Sequence, residues 1–286
     1  MASGAGAAAS PIVLVAAGGL GREVLALLRA AGEDVAGFLD DSPALRGASV
    51  DGAPVLGGVA HIATLPDVRV LVCAGQGSAR AALVARLAEA GVGEARWARA
   101  IHPGVEVPAG CVVGPGAIML AGVVLTASVT VGAHVVAMPQ ATLTHDVVVE
   151  DFATLCAGAT LGGGVVVGRA AYVGMNASVR QGVRVGVGAV LGMGGALLRD
   201  LPDGETWVGV PARPLGAASA GRHRAASVTI PELEDAGLAD AGLAQAALLV
   251  DLAAPTNLAL PDESGGLDAP TEPAGVAASD GRGGGA

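Results

Sequence analysis

Residues 101–202, written six at a time, read IHPGVE, VPAGCV, VGPGAI, MLAGVV, LTASVT, VGAHVV, AMPQAT, LTHDVV, VEDFAT, LCAGAT, LGGGVV, VGRAAY, VGMNAS, VRQGVR, VGVGAV, LGMGGA, LLRDLP. Seventeen hexads follow one another without an insertion. The first position is Ile, Val, Leu, Met or Ala from Ile101 to Leu197, and the fifth is Val, Ala, Cys, Gly or Leu from Val105 to Leu201. Nine charged residues fall in the stretch (Glu106, Asp146, Glu150, Asp151, Arg169, Arg180, Arg184, Arg199, Asp200), and none occupies either position. Charges indifferent to the register would avoid both positions roughly one time in forty, so the pattern separates an inside from an outside. The physical reading is a solenoid: short strands turn a corner every six residues, positions one and five point inward, and stacked coils bury a narrow aliphatic column. Branched residues at position one suit strands. Glycine at positions two and four suits turns with unusual φ.

Composition agrees with a thin column. The chain has 286 residues, 52% hydrophobic but only 2% aromatic, with 46 glycines and no lysine. Five aromatics cannot supply the buried area of an ordinary large core, and the apolar content is too high for disorder throughout. The net charge of −10 argues against nonspecific nucleic-acid binding. Most of that charge lies late: from Gly221 onward three arginines face ten acids, leaving only −3 for residues 1–220. Cys73, Cys111 and Cys156 form no CxxC and fit reduced thiols. Mean hydropathy is positive, and no Asp, Glu or Arg occurs between Glu106 and Asp146, but Pro108, Pro115, Pro139 and the six-residue period speak against a membrane span. No basic segment precedes Pro11-Ile12-Val13-Leu14-Val15, so a secretory signal is not expected and the expected location is the cytoplasm.

Residues 12–100 have another rhythm. Ile12–Ala17 reads as a strand, Gly21–Ala31 as a helix, Val35–Leu39 as a second strand, Val68–Ala74 as a third, and Ser78–Ala90 as a helix capped by Ser78. This order predicts a small parallel sheet. The first turn, Ala16-Ala17-Gly18-Gly19-Leu20-Gly21, is a GxGxxG sequence with Ala in first place, and Asp40 and Asp41 follow about 20 residues on. Two readings stay open at this point: a backbone cradle for phosphate at a helix N-terminus, or a glycine turn that packs closely.

The hexad register, with the ending Asp203-Gly204, Val208-Gly209-Val210-Pro211-Ala212-Arg213, resembles the hexapeptide-repeat acyltransferases, whose left-handed parallel β-helix uses three hexads per coil. The resemblance implies a homotrimer with an acyl-CoA donor in the groove between neighbouring solenoids. A small Rossmann-like α/β domain (residues 11–100) ahead of the β-helix (101–215) is similar to the sugar acetyltransferase family that includes sialic-acid O-acetyltransferases and the bacillosamine-pathway N-acetyltransferase acting on a UDP-amino-sugar. That likeness covers about residues 11–215.

From it follow the expected roles. The N-terminal domain would hold a sugar or nucleotide-sugar acceptor, with Gly18, Gly19, Leu20, Asp40, Asp41 and Gly75 at the binding positions; Leu20 stands where the family usually has His. Donor contacts would fall on Thr154, Met175 and Met193, and Thr154 stands where the bacillosamine-pathway enzyme has His. The family's general base lies in a His-Asp or His-Glu pair, here His145-Asp146, shortly before Glu150-Asp151-Phe152. Histidine suits this work because its ordinary pKa is about 6.5; a neighbouring carboxylate helps fix the tautomer, and a backbone N–H can stabilise the oxyanion. Position three for His145 and position four for His134 both predict an outward side chain. His102 is expected at the domain junction, His61 and His223 as structural or solvated, and Cys156, outward by register, as structural. Arg180 and Arg184 are either partners for CoA phosphates or a solvated face.

The leading reading is therefore an acetyl-CoA-dependent sugar acetyltransferase without a metal. Two alternatives are a non-catalytic nucleotide-sugar-binding trimer and a γ-carbonic-anhydrase-like metalloenzyme, which needs three His ligands where only His134 and His145 are candidates. O- and N-acetylation, the sugar and the acyl chain stay open. Residues 216–286 leave the register, are acidic and rich in Ala, Gly, Asp and Pro, and read as a disordered tail with a short helix within Glu232–Leu252, either a linker or a neutral extension.

Overall fold

The structure is a computed structural model and describes residues 10–215. The acidic tail, the helix expected within it and His223 lie outside the described residues. Strand β1 (Ile12–Val15) is followed by helix α1 (Gly19–Ala30), β2 (Val35–Leu39), the hairpin β3 (Ser49–Val50) and β4 (Ala53–Gly57), β5 (Arg69–Val72) and helix α2 (Gly77–Glu89). The sheet order is β3-β4-β2-β1-β5, parallel apart from the β3–β4 pair. The expected three-strand sheet is thus extended by a hairpin. Its turn, Asp51-Gly52, has φ of 47° and 75°, and Asp-Gly is the residue pair that a two-residue turn with both φ positive favours.

Leu20, Val24, Leu25, Leu27 and Leu28 give α1 one apolar face, and all are buried. Both helices stop the same way. Gly32 (φ 74°) and Gly91 (φ 90°) take the left-handed position, and the next amide, Glu33 or Val92, donates back to the carbonyl of Leu28 or Leu87. Helix α2 begins at Gly77, one residue before the expected Ser78, and has no side-chain cap. Gly77 is required there, because a Cβ would run into the Phe152 carbonyl of the solenoid.

After a first strand at Ala100–Ile101, two-residue strands recur at each position six and one from Val112 to Leu197. Residues pair with partners eighteen along: Val112, Thr130, Val148, Val166 and Arg184 form one ladder. Three hexads therefore make one coil, and the coils stack into three parallel faces. Every position one from Val113 to Leu197, and every position five from Ala117 to Leu201, is buried. The column is the aliphatic interior that the register demands. Trp207 covers its last coil, buried, with its indole N–H donating to Glu205 (2.7 Å).

The glycine positions divide more sharply than the sequence pattern implies. All fifteen position-four residues from Gly110 to Gly194 have positive φ, and seven of them are not glycine: Ser128, His134, Gln140, Asp146, Phe152, Ala170 and Asn176. Glycine at position two has another cause, close stacking of coils. A Cβ on Gly168 would lie 2.7 Å from the Val187 nitrogen, and one on Gly174 2.5 Å from that of Met193.

The N-terminal domain sits on one face. Position-six side chains point away from the column, and Val112 and Val124 on the other two faces are 58% and 46% exposed. On the covered face Ile118, Val136 and Thr154 are 0% exposed, and Ile118 and Val136 join the core cluster of α1 and the sheet.

Candidate active site

Three corners run along the solenoid, and each carries a different set of side chains. At one, His145 and Asp146 occupy positions three and four. Asp146 has φ 61°, a left-handed conformation that Asp and Asn tolerate better than most residues. The turn places its carboxylate 2.9 Å from the His145 Nδ1, and both side chains are about two-thirds exposed (68% and 66%). With Nδ1–H donating to Asp146, the Nε2 lone pair points away, free to accept a proton. The imidazole lies over Gly163 of the next coil, where any Cβ would strike the ring.

The second corner carries His134 and Phe152, eighteen residues apart. His134 does not face outward as its register position suggests. It is 4% exposed, stacked on Phe152 (ring centroids 5.1 Å apart, 10° between planes) and meeting Trp97 edge-on. Its Nδ1 is buried without a hydrogen-bond partner. Burial, with Arg80 nearby, pushes its pKa down to about 4, so the ring is neutral near pH 7. A metalloenzyme reading loses one of its two candidate ligands to this packing. Among the described residues no group of three or more His, Cys, Asp or Glu is placed to hold a metal.

Arg80, which the sequence did not single out, anchors this corner. It is 0% exposed. Its Nε donates to the His134 carbonyl (2.9 Å), Nη1 to the carbonyls of Ala74 (2.7 Å) and Gly75 (3.0 Å), and Nη2 to the carbonyls of Phe152 (2.6 Å) and Ala153 (3.0 Å) and the Thr154 hydroxyl (3.0 Å). Thr154 in turn donates to Gly75 (3.0 Å). Thr154, expected at the donor, is therefore a fully buried junction residue, and Gly75 takes part through its carbonyl. Buried Cys73 has its thiol pKa raised by burial and is inert as a nucleophile.

Met175 and Met193 stack on the third corner, 48% and 72% exposed, with the Gly194 amide donating to the Met175 carbonyl (2.7 Å). They are on a different corner from His145, so one chain does not bring these expected donor positions to that histidine. Of the two arginines considered for phosphates, Arg184 reaches Glu150 (3.4 Å) while its amide donates to Asp200. Arg180 makes no ion pair among the described residues.

In the N-terminal domain a cleft of about 180 Å³ opens beside Val15, Ala16, Leu39, Asp40, Asp41, Val59 and Leu83, at the C-terminal ends of β1 and β2. That is where open α/β sheets take ligands. Asp40 accepts from the amides of Ala17 (2.9 Å) and Ser42 (2.8 Å) and so shapes the glycine turn. Asp41 accepts from the Val59 amide (2.8 Å) and pairs with Arg86 (2.9 Å). These bonds, the Val59 amide first, hold its pKa below the usual carboxylate range. Gly18 and Gly19 are exposed at the start of α1, whose first turn holds no acidic residue. Leu20 is 8% exposed and packs in the core with Val24, because the second residue of α1 lies on the helix's inner face.

The family described as the PglD N-terminal domain matches residues 11–87. No curated protein sequence matches the chain. Among solved structures it is similar to perosamine N-acetyltransferase from Caulobacter crescentus, a His-to-Asn variant in complex with CoA and GDP-perosamine (31% identity, TM-score 0.68, covering 72% of this chain and 97% of that one). It is also similar to the acetyltransferase domain of PglB from Neisseria gonorrhoeae in complex with acetyl coenzyme A (30% identity, TM-score 0.67, 72% and 98%). WeeI from Acinetobacter baumannii shares the fold at 22% identity and TM-score 0.52. Identity of 30–31% over nearly the whole of those chains is decisive: the chain belongs to the hexapeptide-repeat, left-handed β-helix sugar acetyltransferases and is an acyltransferase.

Proposed function

We propose that the protein transfers the acetyl group of acetyl-CoA to the amine of a nucleotide-linked amino sugar, with His145 as general base. The observation that carries this reading is the exposed His145–Asp146 pair on a solenoid corner, 2.9 Å between Nδ1 and carboxylate. The perosamine enzyme, crystallised with CoA and a GDP-amino-sugar, supports the donor and the class of acceptor.

The chemistry balances with these groups. The acceptor nitrogen attacks the thioester carbonyl carbon while His145 Nε2 takes a proton from it, and Asp146 stabilises the imidazolium. As the tetrahedral centre collapses, the C–S bond breaks and His145 returns the proton to the departing sulfur. No covalent enzyme intermediate is needed. Met175 and Met193 offer an apolar ridge for the pantetheine arm. Because they lie a corner away from His145, the site is completed by a second copy of the chain, which favours a homotrimer with the donor between neighbouring solenoids. The cleft beside Asp40 and Asp41, with the exposed amides of Gly18 and Gly19, takes the nucleotide: carboxylates suit ribose hydroxyls and the helix start suits phosphate.

The test is a screen of thiol release from acetyl-CoA against UDP- and GDP-linked amino sugars, sialic acids and their activated forms, with product mass. Turnover confined to amine acceptors is expected. Turnover of hydroxyl acceptors alone would move the assignment to O-acetylation, and full activity in a His145→Ala variant would end the role of His145.

A further inference from the structure

We infer that Arg80 is a positioning residue for acyl transfer: it fixes the acceptor domain on the solenoid and so sets where the acceptor amine meets the base. The inference rests on the acceptor reading above and goes beyond it to a residue that touches neither substrate.

The bonding of Arg80 divides between the two halves of the molecule. Two acceptors, the carbonyls of Ala74 and Gly75, belong to the loop after β5, the strand that pairs with β1. Four belong to the solenoid: the carbonyls of His134, Phe152 and Ala153 and the Thr154 hydroxyl. The Thr154 hydroxyl donates onward to Gly75, so guanidinium, hydroxyl and carbonyl form a closed ring across the junction. No carboxylate pairs with Arg80 among the described residues. Burial lowers its pKa to about 10, which leaves it protonated at neutral pH.

A buried cation is tolerated only when fully hydrogen-bonded. Here that condition is met by the 74–77 loop and two successive solenoid turns presenting their carbonyls together. His134 and Phe152 hold left-handed φ of 55° and 62°, and both contribute carbonyls to the fork. Gly77 seals the contact, since a Cβ there would meet Phe152 and Ala170. The planar fork spans both sides at once; lysine, a single nitrogen with three donors, cannot.

The functional consequence follows from geometry. His145 lies on the corner between the two faces that the α/β domain leaves uncovered. The acceptor held by that domain therefore meets the base of a second copy, and any slack between domain and solenoid displaces the amine from the thioester. A misplacement of about 1 Å costs on the order of a hundredfold in rate.

The experiment compares Arg80→Lys and Thr154→Val with wild type on two acceptors: the nucleotide-sugar found by the screen, and a small free amine that makes no use of the α/β cleft. For folded Arg80→Lys, kcat for the nucleotide-sugar falls about ten- to a hundredfold, KM for acetyl-CoA stays level, direct nucleotide-sugar binding stays within about threefold, and turnover of the small amine is unchanged. Thr154→Val moves in the same direction by less and carries the test if Arg80→Lys does not fold. A purely structural role would lower both reactions together with the folded fraction, and that result, or unchanged kcat in both variants, overturns the inference. If wild type acetylates no nucleotide-sugar at all, the proposed function falls and this inference with it.

Discussion

His134 and His145 stand eleven residues apart in one repeat, on neighbouring corners of the same coil stack, and have opposite fates. Each packs its ring over a glycine of an adjacent coil, His134 over Gly116 and His145 over Gly163. His134 is sealed by Trp97, Phe152 and the α/β domain, with Nδ1 unpaired and its pKa near 4. His145 is open to solvent and paired with Asp146. The solenoid supplies equivalent ledges, and what covers a ledge decides whether an imidazole is buried in the core or left open to solvent.

Exchanging either histidine for alanine gives the largest separation of the two corners. His145→Ala should lower kcat/KM by about 10²–10⁴-fold, the usual worth of a general base, while melting with wild type. His134→Ala should do the reverse. It empties an aromatic-lined buried site, costs about 2–4 kcal/mol of folding stability, and leaves activity per folded molecule within about twofold. Steady-state kinetics beside denaturant unfolding reads both; loss of activity in folded His134→Ala would erase the distinction.

The supporting glycines sharpen it. Gly116 has φ 70°, and Gly116→Ala would add backbone strain and a collision with a ring that has nowhere to go, together about 2–4 kcal/mol of stability. Gly163→Ala meets a ring that can swing into solvent. Its stability should change by less than about 1 kcal/mol, while activity falls about tenfold because His145 leaves its place. Equal stability losses in the two variants would contradict the difference in cover.

Acid unfolding isolates the buried histidine. Folded His134 titrates near 4, below the roughly 6.5 of an unfolded chain. Between those values the unfolded state binds a proton that the folded state refuses. Its stabilising effect is therefore complete above about pH 6.5 and lost as pH falls toward 4, on the order of 3 kcal/mol. His134→Asn, neutral at every pH and tolerant of left-handed φ, should flatten the slope of stability against pH over that window. An unchanged slope would place the titration elsewhere.

The solenoid was legible because its register is local: burial at positions one and five depends only on residues six and eighteen away. The His145-Asp146 pair was legible for the same reason, both partners lying in one turn. The buried corner was not. His134 and Phe152 carry outward register positions, and only the domain folded over them turns outside into inside. A clue existed, since two of the few ring-bearing side chains in the repeat lie eighteen apart and so share a corner. Arg80 offered no such clue, because its acceptors come from carbonyls 5 to 73 residues away. The hairpin was signalled by Asp51-Gly52, but its first strand has only two residues and its second carries Pro54, which speaks against a strand.

Asp146 sets the finest contrast, between charge and conformation at the open corner. Asn at 146 keeps an oxygen toward His145 Nδ1 and tolerates φ 61°, but removes the charge that stabilises the imidazolium. Asp146→Asn should therefore fold normally and lose about tenfold in kcat, with KM for acetyl-CoA unchanged. Alanine removes the oxygen as well and fits the left-handed turn less well, so Asp146→Ala should lose about 1 kcal/mol of stability in addition. Thermal melts and kcat of the two variants separate the effects: if Asn is as active as Asp, the carboxylate only shapes the turn, and the open corner owes its chemistry to His145 alone.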